Sequence, residues 1–72
     1  MDATALKRAR MQKGIMQKEL AQKAGMPIRT LQNYESGIRT PDVYAAQRLS
    51  VALGISISEL FPQNTIMEGD VL

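Results

Sequence analysis

Histidine and cysteine are both absent from this chain of 72 residues, which removes most of the side chains that carry nucleophilic or proton-transfer chemistry near neutral pH. Without cysteine there are no disulfides, and a zinc site would have only carboxylates, a poor ligand set. No carboxylates are paired at helical spacing, and no glycine-rich loop could cradle a phosphate. A chain this short also has little room for a substrate pocket. These features argue against an enzyme, a metal site and a cofactor. What remains is the chemistry of binding, carried by nine Lys and Arg and seven Asp and Glu residues.

Those charges are unevenly placed. Up to Pro41 there are eight basic residues (Lys7, Arg8, Arg10, Lys13, Lys18, Lys23, Arg29 and Arg39) against three acids. From Asp42 onward one base, Arg48, faces four acids. The first part therefore carries +5 and the second −3, which together give the net charge of +2. A basic half suits contact with a polyanion. It equally suits a solvated helical surface, and charge alone does not choose between them.

The elements that position these groups are helical. Hydrophobic residues make up 44% of the chain, ordinary for a globular protein, and Ala, Leu, Gln, Lys, Arg, Met and Glu dominate. A first helix is expected over about residues 3–13, with Leu6, Ala9, Arg10 and Lys13 on one stripe and Gly14 as its stop. A second spans Gln17–Ala24, with Leu20, Ala21 and Ala24 on one face and Gly25 after it. A third starts at Pro27 or Ile28, turns Leu31 and Tyr34 inward and ends near Ser36. Residues 37–41 form a loop by their Gly and Pro content. Asp42 caps a fourth helix, Val43–Leu53, with Leu49, Ala52 and Leu53 inside. Ser56 caps a short fifth helix over residues 57–61, with Glu59 placed as in a capping box. The expected core is Leu6, Leu20, Leu31, Tyr34, Leu49, Leu53, Leu60 and Phe61. Residues 62–72 show no helical period and read as a tail or a dimer arm. The fold class is all-α, five short helices forming one domain over residues 1–61. No apolar run is long enough to span a membrane, and no leader segment is visible at the N-terminus, as expected of a cytoplasmic protein.

The second and third helices are joined by a very short turn, Gly25-Met26. Such a connection makes the helices cross steeply and needs small residues where they meet, a place filled by Ala21 and Ala24. Residues 17–36, QKELAQKAGMPIRTLQNYES, resemble the helix-turn-helix unit of the phage repressor and Cro family, also called the xenobiotic-response-element family. The flanks are in register too, so the resemblance covers about residues 6–61. It departs from the usual pattern at Met16 and Pro27, where polar caps are common, and at Ile38, where a base is frequent.

The resemblance implies a regulator of repressor type that reads double-stranded DNA with its third helix, residues 28–36, in the major groove. Its base-reading positions fall on Ile28, Arg29, Gln32 and Asn33. Arg suits a guanine edge, Gln or Asn an adenine edge, and Ile a thymine methyl. The phosphate-holding positions fall on Gln17, Lys18, Ser36, Arg39 and Thr40. The family commonly joins the places of Arg10 and Glu35 by an ion pair, which implies a structural bridge here. A single unit covers half a site, so a homodimer on a two-fold symmetric operator is expected. The surface expected for it is the fifth helix and the tail, through Ile57, Leu60, Phe61, Ile66, Met67, Val71 and Leu72. Alternatively Leu60 and Phe61 are core. Since fold does not fix function, a protein-interaction module or the antitoxin of a toxin–antitoxin pair stays open, favoured by the apolar Ile28 and Ile38.

Overall fold

The computed structural model describes residues 4–61, which form five helices: α1 (Ala5–Lys13), α2 (Gln17–Ala24), α3 (Ile28–Ser36), α4 (Val43–Leu53) and α5 (Ile57–Leu60). No strand occurs among the described residues. Three helices begin with a side-chain cap. Thr4, Asp42 and Ser56 accept hydrogen bonds from the backbone N–H groups of Lys7, Ala45 and Glu59. Thr4 also donates from Oγ1 to the Glu35 carbonyl at 2.9 Å, tying the start of α1 to the end of α3. This cap is why α1 begins at Ala5, two residues later than its hydrophobic pattern suggests.

None of these helices is long enough to be stable by itself, so packing must hold them. The α2 helix packs against α3 and α4, α5 lies against α1 and α4, and α1 reaches α3. Leu6, Leu20, Leu31, Leu49 and Leu60 are fully buried at the centre, one from each helix. Ala9, Ala21, Ala24 and Leu53 complete the buried cluster, and the alanines allow close approach of the backbones. Tyr34 and Phe61, expected in the core, only cover it from the edge. For Tyr34 the phenol oxygen favours such a place, with its ring on the core and its hydroxyl near water. Leu60 is buried, so it is unavailable to the dimer surface first assigned to it; Ile57 is half-buried. Lys13 leaves the α1 stripe for solvent, where its ammonium keeps its hydration. Residues 62–72, read as a tail or dimer arm, lie outside the described residues.

The turn between α2 and α3 depends on one backbone conformation. Gly25 has φ +70° and its N–H bonds back to Ala21 and Gln22. A Cβ there would meet no atom within 4 Å, so space does not demand glycine. The left-handed backbone does, since an L side chain in it costs about 1–2 kcal/mol. Gly25→Ala is therefore expected to lower stability by about 1 kcal/mol in a thermal melt, with Gly25→Asn losing less.

Candidate functional site

The α3 helix has two unlike faces. Leu31 and Glu35 are buried on the inner one, with Thr30 and Tyr34 half-buried beside them. Ile28, Arg29, Gln32 and Ser36 are exposed on the outer one, and Asn33 is half-exposed. This places all four base-reading candidates along one stripe of a helix about 13 Å long. The stripe carries an Arg fork, two amides and one apolar side chain, the mixture that hydrogen-bonds and packs against base edges.

Behind the stripe lies a buried carboxylate. Glu35 is 3% exposed, and such a charge persists in a core only when it is paired and hydrogen-bonded. Arg10 supplies the pair, with Nε 2.7 Å from Oε2 and Nη2 3.3 Å from Oε1. The remaining arm of the guanidinium, Nη1, donates to the Ile15 carbonyl at 2.8 Å. Gln17 Nε2 donates to Glu35 Oε1 at 3.0 Å, and Gln32 Nε2 donates to Gln17 Oε1 at 3.3 Å. One connected network therefore runs from α1 through the end of α3 and the start of α2 to the outer stripe of α3. Every buried side-chain polar atom among the described residues has a partner. Sequence spacing does not reveal the links from Gln17 to Glu35 and to Gln32. The one local hint is that Gln32 and Glu35 stand three apart on the same helix.

The phosphate-holding candidates lie at the start of α2, at the end of α3 and in the loop after it. Lys18, Ser36, Arg39 and Thr40 are exposed, and Gln17 is half-buried. The loop after α3 is anchored on that helix. The Arg39 N–H and the Ser36 hydroxyl both donate to the Asn33 carbonyl, and Pro41 is buried. Met16 and Pro27 start α2 and α3 without a side-chain cap, unlike the starts of α1, α4 and α5. At α2 the first-turn N–H groups thus receive no cap oxygen, beside Gln17 and Lys18.

A family model described as helix-turn-helix matches residues 6–60, nearly the whole of the described chain. No curated protein and no solved structure matches. The matched residues run from the start of α1 to the end of α5. No helix among the described residues is long and apolar enough to cross a membrane.

Proposed function

Because the chain belongs to the DNA-binding helix-turn-helix family of the phage repressors and Cro proteins, we propose that it is a repressor-type regulator that docks α3 in the major groove of its operator. The observation that carries this reading is the outer stripe of exposed Ile28, Arg29 and Gln32 with half-exposed Asn33, set on a helix whose other face is locked into the core. Arg29 reads a guanine edge, Gln32 and Asn33 read adenine edges, and Ile28 meets a thymine methyl. Phosphates on either side are held by Gln17 and Lys18 at the start of α2, and by Ser36, Arg39 and Thr40 after α3. The α2 start favours an anion because its free N–H groups and the helix dipole both point at it. Two copies bind a two-fold symmetric operator, each covering one half-site.

Fluorescence anisotropy of random-sequence duplex DNA, titrated with the chain at several salt concentrations, tests the class. Non-specific binding is expected at roughly 10⁻⁴–10⁻⁶ M near physiological salt, with log affinity falling linearly in log salt. Absence of binding even at low salt would transfer the basic half to another partner, and the protein-interaction or antitoxin reading would lead. For an enriched sequence, Arg29→Ala is expected to weaken binding by about 1–3 kcal/mol and to relax preference at one base position. Uniform weakening at every position would instead make Arg29 a phosphate contact.

A further inference from the structure

The α3 helix packs against α1 and α2, and α4 against α1, α2 and α5, but α3 and α4 do not pack closely on each other. A groove of about 390 Å³ lies between them, within the size range of small-molecule sites and at its lower end. Each wall presents two side chains one helical turn apart. Thr30 and Tyr34 line the groove from α3, on the flank turned away from the outer stripe. Tyr44 and Arg48 line it from α4, and the turn at Met26 and Pro27 adds apolar surface. The polar ends of these walls are uncommitted. Among the described residues, the side chains of Thr30, Tyr34, Tyr44 and Arg48 make no hydrogen bond or ion pair with the rest of the chain. Arg48 is also the one base after Pro41. The other charge on the groove is Asp42, which caps α4 by accepting the Ala45 N–H at 2.8 Å. Six residues separate it from Arg48, about 9 Å along a helix axis.

We infer that this groove binds a small aromatic monocarboxylate, with its carboxylate on Arg48 and its ring against Tyr34 and Tyr44. A guanidinium fork holds a planar carboxylate through two parallel N–H donors, a bond stronger than one between neutral groups. The hydroxyls of Thr30 and Tyr34 can donate to the remaining lone pairs. Aromatic rings meet favourably offset or edge to face, and the Met26 thioether suits a ring edge. The volume admits a single ring with a short acidic arm. A dianion such as a phosphate ester would bring a second negative charge near Asp42 with no second base to meet it. The site does not depend on DNA binding. Its place on the far flank of α3 leaves the outer stripe uncovered when a ligand is bound.

The test is titration of the full ¹⁵N-labelled chain with phenylacetate, followed by NMR. Phenylacetamide, which lacks the charge, and acetate, which lacks the ring, serve as comparisons. Saturable shifts are expected at the amides of Gly25, Met26, Thr30, Tyr34 and residues 44–48, with a Kd of about 1 mM or tighter. Phenylacetamide and acetate should each bind roughly ten-fold more weakly or worse. Arg48→Gln and Tyr44→Ala change exposed side chains, so both should melt like the unsubstituted chain. Both should weaken phenylacetate, Arg48→Gln by roughly ten-fold. The inference is overturned if no saturable shift appears up to about 20 mM. It also fails if acetate matches phenylacetate and the shifts spread over the bases of α1 and α2, which is general attraction of anions. Equal binding of phenylacetamide, or unchanged affinity in either folded variant, overturns it as well.

Discussion

Replacing Arg10 by Ala is expected to destabilise the domain by about 3–5 kcal/mol, the cost of stranding one member of a buried ion pair. The side chains of Arg10 and Glu35 are only 12% and 2% exposed, so water does not screen the loss. Without Arg10 the Glu35 carboxylate would keep Gln17 as its side-chain donor, and the Ile15 carbonyl would lose its guanidinium donor. A chain of 72 residues has a total stability of roughly 0.05–0.15 kcal/mol per residue, or about 4–11 kcal/mol, so this single change removes a large part of it. Urea unfolding followed by circular dichroism measures the effect. A loss under about 1 kcal/mol, the value of an exposed pair, would show that water reaches the site. Removing both charges together, as in Arg10→Met with Glu35→Leu, should cost much less than the two single changes summed, since no buried charge is left alone.

Leu31→Ala is expected to cost about 2–5 kcal/mol, through lost burial and the cavity left behind. Leu31 is fully buried and lies on the inner face of α3, opposite the stripe proposed to read bases. Leu20 of α2 and Leu49 of α4 are buried in the same cluster, so the site has little freedom to collapse around a smaller side chain. Each kcal/mol lowers the melting temperature by roughly 4–8 °C in a domain of this size, which makes the change easy to read. Because α3 is held mainly by this face, DNA affinity near the melting temperature should fall with the folded fraction. At low temperature, where the variant is folded, base preferences should be unaltered. A shift of preference in the folded variant would mean that the core sets the angle of α3 as well as its stability.

Much of the fold is legible along the chain because the signals for it are local. Asp42 and Ser56 announce helix starts within three residues of the N–H groups they cap. Gly25 ends α2 at a positive φ, and the spacing of Leu20, Ala21 and Ala24 gives the buried face directly. Leu31 and the exposed stripe of α3 follow from helical period in the same way. The places where the pattern misleads are at the margins. Thr4 starts α1 later than the apolar residues suggest. Tyr34 and Phe61 stay at the core edge, where a helix face meets solvent.

The sequence by itself determined an all-α domain, the bounds of α2 and α4, the polar face of α3 and, through family resemblance, the pairing of Arg10 with Glu35. Only the tertiary structure decided what Gln17 does. Its partners lie 18 and 15 positions away, on the inner and outer sides of a helix that crosses its own. Helical period and capping act over three or four residues, because they arise from one chain turning upon itself. Which side chains meet across a steep helix crossing depends on the packing of Leu20, Ala21 and Leu31 between the helices. That packing brings the start of α2 against the carboxylate of Glu35, and hydrogen-bond polarity does the rest.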